Sequence, residues 1–267
     1  MNAIHSIGCI GCGNMGAALL EGFAKKDKAL SLYGYNRSPA KVERLAPLGI
    51  IQSASPDELA RTADLVIVAV KPYQVPEVLS KIREALRKDT LLLSVAAGIP
   101  KATLARESGT ARVIRCMPNT PATVGKGIFA LAFAQEIPSA IQTAILDLFS
   151  LLGLALPLPE SKFAAFSSLI GAGPAYVVTM MQGMVQAGIT LGFTEKDSRR
   201  MVTALFEGTA VWAQAKEDHL MALRDAVSSP AGLTIEGVNV LERKAFAGTT
   251  VDAILAANAR ALAMEKS

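Results

Sequence analysis

The stretch IHSIGCIGCGNMGAALLEGFAKK, residues 4–26, decides the fold. It begins with a short isoleucine-rich run, 4–10, of the length and continuous apolar character of a strand covered on both faces. The run leads into Gly11-Cys12-Gly13-Asn14-Met15-Gly16, a G-x-G-x-x-G pattern, and then into a stretch of helical period, 15–26. Each glycine has its own physical duty. Gly11 permits the tight turn, Gly13 lets a pyrophosphate approach the backbone, and Gly16 lets the helix pack closely on the strand. The free N–H groups at the start of the helix then face a phosphate. The next strand pattern, 30–35, ends about twenty residues further on, the spacing of a dinucleotide-binding strand–helix–strand unit. Ile10, Gly11, Gly13, Asn14, Met15 and Gly16 are therefore candidate cofactor-binding residues.

The same alternation continues outward. Strand patterns recur at 65–70, 91–95 and 112–116, with helical patterns at 39–48, 74–86 and 101–107. This rhythm predicts a doubly wound parallel sheet. A strand at 129–133, a helix at 139–152 and a short strand at 154–156 would complete it. Pro157 and Pro159 then punctuate the chain. Beyond them helical patterning takes over, at 163–191, 195–216, 219–226, 230–242 and 245–265. The fold class predicted is α/β: an N-terminal Rossmann-type domain over 1–159, followed by an all-α domain over 160–267.

Composition narrows the function. The chain has 267 residues, enough for one large domain or two. Its net charge is +4, with basic residues scattered and none interleaved with aromatics, which argues against nucleic acid. The amino terminus runs straight into a strand pattern without a cleavage signal, so a cytoplasmic location is expected. Cys9 and Cys12 form a C-x-x-C, but inside a glycine turn, and Cys116 has no neighbouring histidine; no metal site is expected. Residues 163–194 carry no charge over a length that could span a bilayer. Gly171, Gly173 and Pro174 interrupt that stretch, and Ser167, Ser168, Gln182 and Gln186 recur along it. The reading adopted is a helix buried between subunits, with no membrane.

The end of the second strand reads Asn36-Arg37-Ser38. An NAD enzyme usually places a carboxylate there for the ribose hydroxyls. Here a neutral amide, a cation and a hydroxyl favour a 2′-phosphate instead, so NADP(H) is the expected cofactor and NAD(H) the second choice. Ala69, Val70, Lys71 and Pro72, and likewise Asn119, follow strand patterns where such sheets bind ligands, and they extend the cofactor set. A further signal lies at 225–242: a Ser-Ser-Pro turn, the small residues Ala231 and Gly232, Thr234 and then a helical pattern. Free N–H groups at such a helix start suit a carboxylate.

Taken together, these stretches resemble the Δ1-pyrroline-5-carboxylate reductase family. The resemblance rests on 10–16, Ala69-Val70-Lys71-Pro72, Val95-Ala96-Ala97-Gly98, 114–121, Gly171-Ala172-Gly173-Pro174-Ala175-Tyr176 and the 225–242 segment, in the family's order over essentially the whole chain. It implies NADPH-dependent reduction of a small cyclic imine carboxylate to L-proline, the last step of proline biosynthesis. It also implies a helical domain that forms a homodimer or a larger homo-oligomer, with a site shared between two chains. Carried over by position, Ser229, Thr234 and the amide of Leu233 would bind the substrate carboxylate, and Glu160 would lie on the ring side of the ligand. Thr234 is the candidate catalytic residue, orienting the ring nitrogen.

The sequence departs from the family at Ala231 and Leu233, where glycine and a smaller residue are usual. It departs also at Ala172, Ala226, Pro56 and Ala164. A different cyclic imine, or a non-catalytic NADP-binding regulatory role, stay open at this stage.

Overall fold

The structure, a computed structural model, describes residues 4–265. Eight strands form one sheet: β1 Ser6–Ile10, β2 Ser31–Tyr35, β3 Ile51–Gln52, β4 Leu65–Val68, β5 Leu91–Ser94, β6 Val113–Pro118, β7 Gly127–Phe133 and β8 Gly153–Pro157. Their order is β3-β2-β1-β4-β5-β6-β7-β8. Every pairing is parallel except β6 with β7. The order reverses between β1 and β4, and ligands bind at the carboxyl ends of strands at such a point.

The strand sequences explain why both faces are covered. Ile7 and Cys9 of β1, Leu65 and Ile67 of β4, and Leu91 and Leu93 of β5 enter one core. Their neighbours Ile10, Val66, Val68 and Leu92 enter the other. Side chains alternate with period two, so a strand buried on both sides must be apolar throughout. Helices α1 Asn14–Lys26 and α6 Ser139–Ser150 cover the first face. There Phe149 takes Phe23 and Phe129 edge-on, with ring centroids 5.6 and 5.3 Å away. The short α2 Ala40–Glu43 follows β2. The second face is covered by α3 Pro56–Thr62, α4 Val75–Ile82 and α5 Lys101–Ser108, through Leu59, Leu79 and Leu104.

At the amino ends of the strands one carboxylate pins β1 to β4. Asp64 Oδ2 accepts from the N–H groups of His5 and Ser6, each at 3.0 Å, and from Ser6 Oγ at 2.8 Å. Its Oδ1 receives Arg87 Nη2 at 2.7 Å.

Several elements differ from the sequence expectation. Strand β3 and helix α3 fall in a stretch read as connection. β3 has two exposed residues, too few for any periodicity. α3 has seven, started by Ser55, whose Oγ accepts from the Glu58 N–H at 3.1 Å. The helix expected over 39–48 is cut into α2 and a 3₁₀ turn Ala46–Leu48 that contains Pro47. The long helix expected over 163–191 is α7 Phe163–Phe166, a π-helical turn Ser167–Gly171, and α8 Gly173–Thr190. Pro174 has no N–H to donate and suits only the first turn of α8.

The chain divides into two compact units, one comprising the described residues to Gly171 with those from Ala261 onward, the other Ala172–Arg260. In the first, Phe163 and Phe166 of α7 pack on Ala130 and Ala132 of β7. The second holds α8, α9 Glu195–Gln214, α10 Leu220–Ala226, α11 Leu233–Arg243 and most of α12 Phe246–Glu265. Thr194 caps α9, its Oγ1 accepting from the Asp197 N–H at 3.1 Å, as the Thr-Glu-Lys-Asp sequence predicts. Val185, Ser198, Val202 and Leu223 are buried in this unit, while many large apolar side chains on its helices are exposed.

Candidate active site

A cleft of about 770 Å³ lies over the carboxyl ends of β1, β2, β4 and β5. That volume is in the range of cofactor sites. Its floor is the glycine turn, and the three glycines are set apart by what surrounds them. Gly11 has φ +102°, which side-chain-bearing residues rarely adopt, and a Cβ there would stand 2.7 Å from the Ala69 carbonyl. Its N–H donates to the Tyr35 carbonyl at 2.8 Å, closing the turn on β2. A Cβ on Gly16 would run into the Gly11 carbonyl, so only glycine lets α1 sit this close. Gly13 has nothing within 4 Å in that direction; its bare face opens on the cleft. As N-cap of α1 it offers no side chain to the first N–H groups, which stay available to a phosphate.

Ile10, Asn14 and Met15 also line the cleft. Asn36 lines it too, and its amide ties the turn to the end of β2. Oδ1 accepts from the Cys12 N–H at 3.1 Å, and Nδ2 donates to the Ser38 carbonyl at 3.2 Å. Arg37 and Ser38 stand exposed at the rim. On the other wall Ala69 receives its register from β1, donating to the Ile10 carbonyl at 2.8 Å. Val70, Lys71 and Pro72 follow, and the Lys71 N–H donates to Gln74 Oε1 at 3.3 Å. Val95, Ala96 and Ala97 at the end of β5 complete this side.

Two expected cofactor residues are placed elsewhere. Gly16 packs beneath the turn. Asn119 is 6% exposed and does not line the cleft; its Oδ1 accepts from the Ile128 N–H at 2.9 Å and its Nδ2 donates to the Ile170 carbonyl at 3.4 Å. Conversely, the cleft includes residues that the sequence reading missed: Tyr35, Lys41 and one face of α4 with its lead-in turn, Gln74, Glu77, Val78 and Lys81. Helical spacing puts those four on one face, but nothing in their residue types marks that face as turned toward a ligand.

Below the turn, Cys9 and Cys12 are buried, free thiols. The hydrogen bond to Cys12, then burial, pushes the Cys9 thiol well above its ordinary range. Burial does the same to Cys116. Held protonated, these two thiols are poor nucleophiles and poor metal ligands, whereas the hydrogen bond with Cys9 lowers the Cys12 thiol.

Glu160 sits in a 3₁₀ turn, Glu160–Lys162. Its Oε1 accepts from the Lys101 N–H at 2.9 Å, at the start of α5, and from Arg115 Nη1 at 3.1 Å. Arg115, 4% exposed on β6, also lies over the Phe163 ring with its guanidinium carbon 4.6 Å from the centroid. The carboxylate thus joins α5, β6 and the turn before α7.

In the second unit, the helix expected over 230–242 begins three residues later, at Leu233, so Pro230 stands in the turn before the helix and not in its first turn. The Gly232 N–H donates to the Ser229 carbonyl at 3.1 Å, and α11 follows with Gly232 as its N-cap and no side chain capping it. The N–H groups of Leu233 and Thr234 therefore belong to a helix turn with no acceptor of its own. A Cβ on Gly232 would strike Ser229 Oγ; the hydroxyl sits where glycine leaves room. Ala231 is in the left-handed region at φ +55°. Ser229 is exposed, Thr234 half-buried, and Leu233 is 90% exposed.

Comparison with known proteins gives this geometry its family. Residues 160–264 match the model described as pyrroline-5-carboxylate reductase dimerisation. Residues 6–98 match the one described as NADP oxidoreductase, coenzyme F420-dependent. The pyrroline-5-carboxylate reductase of Escherichia coli (strain K12) is 36% identical over 252 residues, 93% of this chain and 94% of that protein. That of Pisum sativum is 31% identical over 96% and 94%. Among solved structures, the pyrroline-5-carboxylate reductase of Coxiella burnetii is 27% identical, with TM-score 0.92 over 100% of both chains. The pyrroline carboxylate reductase of Plasmodium falciparum, with NADP bound, is 28% identical, with TM-score 0.84 over 99% of both. The chain belongs to the pyrroline-5-carboxylate reductase family.

Proposed function

We propose that the protein is a pyrroline-5-carboxylate reductase that makes L-proline with NADPH, working in the cytoplasm as a homodimer or larger homo-oligomer. The observation that carries the cofactor reading is the bare face of Gly13, open on a cleft that ends in Arg37 and Ser38. Here the N–H groups opening α1 bind the pyrophosphate, and the cation and hydroxyl at the end of β2 bind the 2′-phosphate. Lys71, with Ala69, Val70 and Pro72, borders the nicotinamide half, and Asn119 acts from beneath by fixing the loop after β6. When bound, NADPH supplies the hydride.

The substrate is a cyclic imine carrying a carboxylate. Ser229 Oγ and the N–H groups of Leu233 and Thr234 hold that carboxylate at the start of α11. The Thr234 hydroxyl orients the ring nitrogen. Protonation of the imine nitrogen makes its carbon electrophilic, and reduction neutralises the cation. The chain therefore needs to align the ring and exclude water rather than supply a strong acid. Residues 1–159 serve the cofactor, and 160–267 serve the substrate and dimerisation.

Mixing the purified protein with NADPH and racemic pyrroline-5-carboxylate should oxidise the cofactor, read as loss of its near-ultraviolet absorbance, with L-proline as product. Retained NADPH binding without oxidation would sink the catalytic reading. Turnover confined to a six-membered imine would replace the substrate.

A further inference from the structure

Four cations line the cofactor cleft: Arg37, Lys41, Lys71 and Lys81. Among the described residues one carboxylate lines it, Glu77 of α4. Its Oε1 pairs with Lys81 Nζ at 2.7 Å, one helical turn on. Both side chains are well exposed, at 65% and 58%. The pair is not remote from the β2 end of the cleft. The Lys81 hydrogen bond and charge chiefly hold the Glu77 carboxyl below its usual range, and the Arg37 charge adds to this. Arg37 in turn opposes the raised proton affinity of Lys81. The residue expected to meet a 2′-phosphate, an anion and a third charge thus stand within electrostatic reach of one another.

A phosphate monoester carries close to two negative charges at neutral pH, so a fixed charge at this end acts more strongly on NADPH than on NADH, which has only the pyrophosphate further along the cleft. Arg37, Lys41 and Lys81 attract it. Glu77 opposes them, by its own charge and by engaging Lys81. We propose that Glu77 sets how strongly the cleft prefers NADPH over NADH, acting as a counter-charge that tempers the 2′-phosphate site. The proposal rests on the cofactor reading above and deepens it. A helix-stabilising role for an i,i+4 pair would be indifferent to which dinucleotide binds, and that separates the two.

The test measures the dissociation constants of both dinucleotides, by fluorescence titration, for the parent chain, Glu77→Gln, Lys81→Gln and the double variant. Glu77→Gln should raise the ratio of NADPH to NADH affinity about two- to fivefold, the scale of an exposed charge pair. Lys81→Gln should lower the ratio by a similar factor. The double variant keeps the parent's net charge and should return near the parent ratio. The gains should shrink at about 0.5 M salt, where screening is strong. A ratio that is unchanged or lowered in Glu77→Gln overturns the proposal while leaving the cofactor reading intact. A parent chain that binds neither dinucleotide overturns the cofactor reading and the proposal together.

Discussion

Ala231 is the residue at which the 225–242 segment departs most from what its backbone asks for. Its φ of +55° is a conformation that costs an L-residue about 1 kcal/mol and glycine almost nothing. The family's usual glycine fits that backbone, and the alanine here keeps the conformation at a cost. The added freedom of the unfolded chain, about 0.4–1 kcal/mol, offsets most of that strain relief, so Ala231→Gly should raise the melting temperature by no more than about 2 °C. Calorimetry measures the balance, and a clear loss of stability would show that the left-handed turn is not strained. Thr234 asks a different question of the same segment. Thr234→Val removes the hydroxyl and keeps the shape. A hydrogen bond to a charged partner is worth about 1.5–3 kcal/mol, so turnover should fall about ten- to a hundredfold with little change in melting temperature. Unchanged turnover would remove Thr234 from the mechanism. At the cofactor end, Arg37→Ala should weaken NADPH about tenfold, discounted for the exposure of the guanidinium, and leave NADH nearly as before. Equal effects on both would mean that Arg37 does not read the 2′-phosphate.

At the scale of elements, close approach is what the glycine turn achieves, and Gly16 is its test. A methyl there meets the Gly11 carbonyl, which is backbone and cannot swing aside. Gly16→Ala should displace α1 from β1, cost about 1–3 kcal/mol by overpacking, and abolish tight NADPH binding together. Stability lost without loss of binding would separate the packing role from the cofactor role. Asp64 couples strands instead. Burial pushes its carboxyl up, but the Ser6 hydroxyl, the His5 and Ser6 N–H groups and the Arg87 charge outweigh this and leave it below the ordinary value of 3.8. A carboxyl lowered in the folded state adds stability above its unfolded pKa, and that stability is lost as pH falls through the folded pKa. Asp64→Asn should thus be less stable than the parent by a constant amount above about pH 5, and the gap should close below about pH 4. Denaturant titrations across that range measure it.

The same elements show what was legible in the sequence. The strands of the parallel core could be read because burial on both faces demands unbroken apolar runs, as at Leu65–Val68 and Leu91–Ser94. β3 could not, since two exposed residues carry no pattern. The Ser55-Pro56 start of α3 was a valid helix signal, followed by too short a helix for its period to show. The π-helical turn Ser167–Gly171 was hidden because an uncharged run looks the same whether its helix is regular or not. The glycine turn, Arg37 and Lys71 were found through motif and strand ends. The α4 wall of the cleft was missed, because a helix face turned toward a ligand reads as an ordinary exposed face.

At the scale of the molecule, the helical unit has more apolar surface than a solitary chain would leave wet. Val177, Val178, Met180 and Met184 on α8, Leu205 and Val211 on α9, and Leu255 on α12 are all more than a third exposed. Residues Glu160–Thr190 are also long and apolar enough, by length and composition alone, to cross a bilayer. Large contiguous apolar patches on soluble proteins mark interaction surfaces, and obligate homodimers bury more than about 2,000 Å² of such surface. The match of 160–264 to a model described as pyrroline-5-carboxylate reductase dimerisation supports a second copy as the occupant. Association then adds to the stability of a fold that each chain can hold alone, so each tenfold dilution should cost about 1.4 kcal/mol of apparent stability and lower the melting temperature by a few degrees. Val178→Asp places an unpaired charge on α8 at a side chain already 60% exposed in the single chain, where a monomer would tolerate it. In a dimer that buries this position, the variant should sediment as a monomer at micromolar concentration and melt at a temperature independent of dilution. A parent chain that sediments as a monomer, or a variant that stays dimeric and equally stable, would show that this face of α8 is not what the second copy covers.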